Sequence, residues 1–193
     1  LYPERAGHHR DVLLDTASRA ITSTGVTLRL RDTDEGRFIL TFKGPNAGKS
    51  GLHEREEIEA DLDSAEHFDY ARWPDPIGAR VQALAHGERL LPLVRIYIHR
   101  RTWAVERDGE HIAQVALDQG IISAGGRTAR VHELEVELKQ GGKRTDLEEL
   151  GQRLLEQLPL QPQPRGKLQR GLTLLDKRRT LDGHASLEAV GRH

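Results

Sequence analysis

The chain has 193 residues, with 29 Lys+Arg against 30 Asp+Glu for a formal charge of −1, and no Cys. One domain of ordinary size fits that length, and near-balanced charge argues against a nucleic-acid-binding domain, which is clearly basic. Without Cys there is no disulfide framework, thiolate metal site or Cys nucleophile, which agrees with a cytoplasmic protein; no apolar run approaches the ~18–20 residues of a membrane span, and no apolar secretory segment opens the chain.

In chain order, Leu1–Arg10 reads as polar and irregular, with a His8-His9 pair. No Met occurs anywhere, which predicts a chain that starts downstream of a native initiation site. A short strand is expected over Asp11–Asp15, then a polar stretch, Ala17–Gly25. Val26–Arg31 and Arg37–Lys43 alternate strictly, and Asp32–Gly36 between them has turn chemistry, so a hairpin is predicted. Gly44–Gly51 is a loop by composition, and His53–Leu62 is an alternating, charged strand. Asp63-Ser64 could cap a short helix through Tyr70. Pro76–His86 predicts a second helix, with Gly87 just past its end.

Strands resume over Leu93–Arg107 and His111–Asp118, turning at Asp108-Gly109. Ile121–Ala124 and Ala129–Lys139 flank Gly125-Gly126, another hairpin signal. Thr145–Leu158 is an amphipathic helix with Leu147, Leu150, Leu154, Leu155 and Leu158 on one side. A Pro/Gln loop, Pro159–Pro164, leads to a short helix near Lys167–Leu175 and a polar tail. Some seven strands and four helices, mostly hairpin-connected, predict an α+β fold with an antiparallel sheet.

Charge is sorted by sign on these strands. Residues i and i+2 share a face about 7 Å apart, which groups Arg29 with Arg31, Thr41 with Lys43, Arg55 with Glu57 and Glu59, and Glu133 with Glu135 and Glu137. A solvated sheet face alternates in the same way, and strand by strand that reading holds. Such a face usually mixes signs, because aligned like charges repel. Converging instead, the charged faces would enclose a cavity, as a closed barrel does. Guanidinium forks match phosphate oxygens, and hard divalent ions take carboxylate oxygens while keeping substrate phosphates as further ligands.

Six segments carry a resemblance. Gly25-Val26-Thr27-Leu28-Arg29-Leu30-Arg31 is similar to a G-x-x-LRxR strand, Leu40-Thr41-Phe42-Lys43-Gly44-Pro45 to LTxKGP, and Arg55-Glu56-Glu57-Ile58-Glu59 to RxExE. Ala116-Leu117-Asp118-Gln119-Gly120 is similar to ALDxG, His132–Leu138 to ELExEL, and Gly166-Lys167-Leu168-Gln169-Arg170-Gly171 to an SKxxRG helix start. In this order, over Asp11–Leu175, they resemble the CYTH domains, or triphosphate tunnel metalloenzymes. The resemblance implies an antiparallel eight-stranded tunnel with inward charges and flanking helices. It implies Arg29, Arg31, Lys43, Arg55, Arg100 and Lys167 as triphosphate contacts, with Arg170 at the helix start in a packing or phosphate role. Glu57, Glu59, Asp118, Glu133, Glu135 and Glu137 would be the metal-side carboxylates, for Mg²⁺ or Mn²⁺. Glu133, Glu135, Glu137 and Lys167 would form the catalytic set.

Most members of similar length are bacterial inorganic triphosphatases; others are thiamine triphosphatases or adenylate cyclases. The expected activity is therefore metal-dependent hydrolysis of inorganic triphosphate. The alternatives are a polyphosphate-binding module without turnover, or an adenylate cyclase or a thiamine or nucleoside triphosphatase on the same fold. The family's first strand, ExExK, has no counterpart in Leu1–Arg10, so residues 1–178 are expected to form an N-terminally incomplete tunnel domain. Thr102 stands where many relatives have a second basic residue. Residues 179–193 would be a polar linker toward a helical CHAD domain, as Ala185–His193 resembles the opening of its first helix.

Other motifs carry less. Gly44–Ser50 is one residue short of GxxxxGK[ST] and precedes a strand-like pattern, where a P-loop needs a helix. His53-Glu54 begins like HExxH, but position 57 is Glu. His8-His9 and His132 have no partner at ligand spacing, no G-x-S-x-G elbow occurs, and Trp73 and Trp103 read as packing residues.

Overall fold

The alternating segments pair into one antiparallel sheet in the computed structural model, which describes residues 1–45, 55–63 and 68–176. In chain order its strands are β1 (Tyr2–Asp15), β2 (Thr27–Thr33), β3 (Phe38–Lys43) and β4 (Glu57–Leu62), then, after helix α1 (Ile77–Ala85), β5 (Leu91–Arg107), β6 (Glu110–Ala124) and β7 (Arg127–Leu138). Helix α2 (Arg144–Gln157) follows, and a last helix, α3, begins at 167 and is described through 176. The spatial order is β4-β3-β2-β1-β5-β6-β7. Both late hairpins turn through left-handed pairs, Asp108-Gly109 and Gly125-Gly126, which match the right-handed twist of the flanking strands.

Two strands differ from the sequence reading. Residues 2–10, expected to be irregular, continue β1, pairing from Tyr2 opposite Ala104 to Asp15 opposite Leu91. A polar segment with little strand propensity of its own is held by the ladder of long β5, so tertiary context overrides it. His111–Asp118 and Ile121–Ala124 are one strand, β6. Gly120 looks like a break, yet a Cβ there would lie 2.0 Å from the Tyr97 carbonyl oxygen. It marks a close backbone approach inside the sheet. The expected helix up to Tyr70 lies partly outside the described residues, and a 3₁₀ turn covers Tyr70–Arg72. The P-loop-like residues 46–50, the His53-Glu54 pair and the tail 177–193 also lie outside them.

The two faces of the sheet are packed differently. On the outer face, Leu14, Leu28, Leu30, Leu40 and Phe42 pack with Ile77 and Val81 of α1 and with Trp73. Leu150 of α2 covers Val105, Ile112 and Val115 farther along, although Leu155 and Leu158 of its stripe stay exposed. On the inner face, Leu13, Val94, Ile96, Ile98, Ile122 and Val131 lie under Leu168, Leu172 and Leu175 of α3. Each fully buried aliphatic side chain stabilises by about 1.5–3 kcal/mol. These contacts therefore hold α3 against the same face that carries the charged rows.

The sheet is open. Its edges are β4 and β7, and no eighth strand occurs among the described residues. By strand alternation, β4 turns Glu57, Glu59 and Asp61 inward, and β7 turns Glu133, Glu135 and Glu137 inward. Direct pairing of those edges would align two carboxylate rows, which repel.

Candidate functional site

Cross-strand register brings the predicted charges onto one face. Asp11 of β1 is opposite Arg31, Arg29 opposite Thr41, and Lys43 opposite Glu57. Beyond β1, Arg100 is opposite Asp118, and Asp118 is opposite Glu133. Partners in a pleated sheet share a face, so the residues form a charged groove with β1 along its middle.

On the β1–β4 side, Arg31 grips Asp11 with two hydrogen bonds, Nε at 2.7 Å and Nη2 at 2.8 Å. Arg29 donates to Thr41 at 2.9 Å and reaches Glu59 at 3.3 Å, while its Nη1 lies 3.8 Å from Asp11. Lys43 pairs with Glu57. Burial alone would raise the Asp11 carboxyl, but the paired Arg31 and nearby Arg29 outweigh it and hold the group below its ordinary range. Burial and the Arg29 charge pull Lys43 down, despite its contact with Glu57. Burial also lowers Arg29, and its Nε is buried without a hydrogen-bond partner. A buried, unsatisfied donor is costly unless something accepts from it. Arg55 precedes β4, is exposed, and contributes its charge at Lys43 and Glu57.

On the β5–β7 side, Asp118 is fully buried and takes two bonds of 2.7 Å from Arg100. Oxygens of Asp118, Glu133 and Glu135 lie within 4.8 Å of one another. The Lys167 ammonium, from the first turn of α3, touches all three: Asp118 at 2.8 Å, Glu135 at 2.6 Å, and Glu133. Arg170, one turn on, donates to Glu133 at 2.6 Å and to the Arg130 carbonyl at 2.6 Å. Gly171 lets α3 come this close, since a Cβ there would lie 2.3 Å from a Val94 methyl. Glu135 keeps 46% of its side-chain surface, but protein surrounds its inner side. Burial would raise its carboxyl, and Lys167 with Arg100 overcome that and hold it at about 2. The three carboxylates in turn raise the Lys167 ammonium against burial.

Aligned Glu133, Glu135 and Glu137 suggest mutual repulsion that a Gln at 135 would relieve. Glu135 instead sits between two cations, so its substitution removes attraction. Glu137 stands apart, 66% exposed and paired with Lys139 at 3.2 Å. Arg101 points away from the groove, over the Trp103 ring at 5.9 Å.

Two groove residues escaped the sequence reading. Asp11 fixes both arginines; its signal was a carboxylate inside an apolar strand, at the position facing Arg31. His9, on β1 between the two halves, has a buried Nδ1 without a partner. Burial, then the Arg31 charge, lowers its pKa to about 4, so the ring is neutral at pH 7.

The carboxylate trio passes a chemical test for a hard divalent ion. Oxygens on opposite sides of Mg²⁺ at ~2.1 Å would be about 4.2 Å apart, close to the spacing present. Thiol and imidazole donors, which favour softer metals, are absent from the trio.

Comparisons with known proteins agree with this fold. The CYTH domain model matches residues 4–172. An inorganic triphosphatase from Haemophilus influenzae is 34% identical over 119 residues, which is 59% of this chain and 31% of that protein. The chain thus spans about a third of the length of that curated relative. Among solved structures, a candidate adenylate cyclase from Bacillus halodurans aligns over 86% of this chain and 82% of its own, with TM-score 0.64 and 18% identity. A Hippeastrum protein, described as a candidate adenylyl cyclase with a dominant triphosphatase activity, aligns over 80% and 76%, with TM-score 0.61 and 18% identity. At such identity the structures speak for the fold, and the motif order and matched span speak for descent. The chain belongs to the CYTH domain family.

Proposed function

We propose that the groove binds inorganic triphosphate and hydrolyses it to pyrophosphate and phosphate with Mg²⁺ or Mn²⁺. The observation that carries this reading is the apposition of two opposite sites on one face. Arg29, with its unsatisfied buried Nε, joins Arg31 and Lys43 on one side, and the Asp118–Glu133–Glu135 trio lies on the other. The triphosphatase activity of the Haemophilus influenzae relative supports the substrate class.

In this reading Arg29, Arg31 and Lys43 hold the phosphate oxygens, and Arg55 adds charge at the open edge. Asp11 keeps the Arg31 fork oriented. Arg100, Lys167 and Arg170 neutralise phosphoryl charge as it develops, which is where preorganised cations help most. Asp118, Glu133 and Glu135 would hold a divalent ion, with Glu57 and Glu59 as further oxygen donors near the β4 edge. Such an ion would supply a Lewis acid that polarises phosphoryl oxygens and a template that orients a water. Glu135, ionised far below neutrality, is available throughout as an acceptor that orients a water proton.

The test is phosphate release from tripolyphosphate by this chain, with and without Mg²⁺ or Mn²⁺. Metal-dependent release is expected; absent release would overturn the hydrolase reading, and metal-independent release would overturn the metal's part in it. A second reading, a polyphosphate-binding module without turnover, is favoured by the open sheet and by the side-chain cations already paired with the trio. Tight tripolyphosphate binding without release would select it. A nucleotide cyclase has less support, because Trp73 is packed in the outer core and Trp103 lies on the outer side, so neither offers the groove a stacking surface.

A further inference from the structure

The cations that neutralise the carboxylate trio differ in how they are held. Arg100 is fixed by two bonds to Asp118 within the sheet, and Arg170 is tied to a backbone carbonyl as well as to Glu133. Among the described residues, Lys167 alone touches all three carboxylates, and its ammonium pairs with each of them. Its charge thus stands where the oxygens converge, in the place a small divalent ion would take. The residue also opens α3, at the end of a flexible four-carbon stem, so the ammonium can leave without moving the helix packed through Gly171.

We propose that Lys167 is an exchangeable resident cation. It occupies the metal position when the groove is empty, and it yields that position when a divalent ion binds, swinging its ammonium toward the phosphates. The inference rests on the trio being the metal site. Two cations of total charge +3 cannot share three carboxylates at contact distance without strong repulsion, so metal entry and Lys167 departure are one event. Metal affinity in the absence of phosphate is thereby held down, because the incoming ion must displace a paired ammonium. Phosphate oxygens in the groove offer that ammonium a new partner, so anion and metal assist one another by linkage.

The test is Mn²⁺ binding to the full chain in phosphate-free buffer, measured by calorimetry for the wild type, Lys167→Gln and Lys167→Met. Both variants remove the resident charge while keeping a side chain of similar length. At least tenfold tighter Mn²⁺ binding than wild type is expected. Equal or weaker binding by folded variants would overturn the exchange while leaving the trio as a metal site. If neither wild type nor variant binds Mn²⁺, the trio reading fails and the proposal with it. Should both variants unfold, the wild type still decides. The Lys167 side-chain ¹⁵N signal, protected by its three contacts, should lose protection on Mg²⁺ addition. Retained protection with Mg²⁺ bound would overturn the exchange.

Discussion

The two halves of the groove solve the same charge problem with opposite parts. On the β1–β4 side all three paired cations, Arg29, Arg31 and Lys43, stand on sheet strands beside buried Asp11, and Glu57 and Glu59 are 40% and 51% exposed at the edge. On the β5–β7 side a carboxylate, Asp118, is likewise buried, but two of three cations arrive on a helix. One half is therefore a fixed set of sheet-borne cations, with Asp11 setting its geometry. The other is an anionic nest whose cations sit on a separate, packed element. Charged rows alone cannot distinguish these cases; the element that carries each charge does.

The largest effect should come from breaking the fixed half. Arg29→Ala together with Arg31→Ala should weaken tripolyphosphate binding by orders of magnitude, at ~1.5–3 kcal/mol per charge-assisted contact. The double variant leaves buried Asp11 without Arg31, which costs about 3–5 kcal/mol of stability. Arg29→Ala alone, which keeps the Asp11–Arg31 pair, should still lose at least tenfold by calorimetry. Unchanged affinity in the single variant would remove the receptor role from this half.

The helix-borne half should respond to packing. Gly171→Ala forces a methyl against Val94 and should destabilise by about 1–3 kcal/mol, as overpacking does. A denaturant titration checks this, and adding Val94→Ala should restore most of the loss if the close approach is the cause. Acid should act there too. The Glu135 carboxyl is held at about 2 against an ordinary 4.5. Its contribution is complete above about pH 4.5 and fades as pH falls through 2. Glu135→Gln should flatten that part of the stability profile.

His9, at the junction, titrates with the opposite chemistry. With a folded value near 4 and an ordinary value of 6.5, the unfolded chain takes up the proton first. Stability should fall as pH drops from about 6.5 to 4, and His9→Asn should reduce that slope. Imidazole NMR should show the ring neutral at pH 7, and bound tripolyphosphate should shift its titration upward. The smallest effect is expected at Glu137. Its exposed pair with Lys139 is worth about 0–1 kcal/mol, so Glu137→Gln should change phosphate release by no more than a few-fold.

Much of this was legible in the sequence because strand alternation is a local rule. Once Arg29/Arg31 and Glu133/Glu135 sit on strands, their shared faces follow from a period of two, and six ordered motifs carry the family. The beginning of β1 was not legible. Residues 2–10 have no alternation of their own and become strand only because β5 offers them a ladder. His9 and Asp11 were missed with it, since a residue's place in the groove depends on the partner strand rather than its neighbours in sequence. The run Glu133–Glu137 predicted three equivalent carboxylates, and tertiary structure made them unequal. Lys167 and Arg170 reach Glu133 and Lys167 reaches Glu135, whereas Glu137 is exposed and pairs with Lys139. The sequence by itself determined which side chains share a strand face and in what order the charged strands come. Only the tertiary structure decided which charges are buried, which are paired, and that an ammonium stands among the metal-type ligands, because those outcomes arise from contacts between segments far apart in the chain.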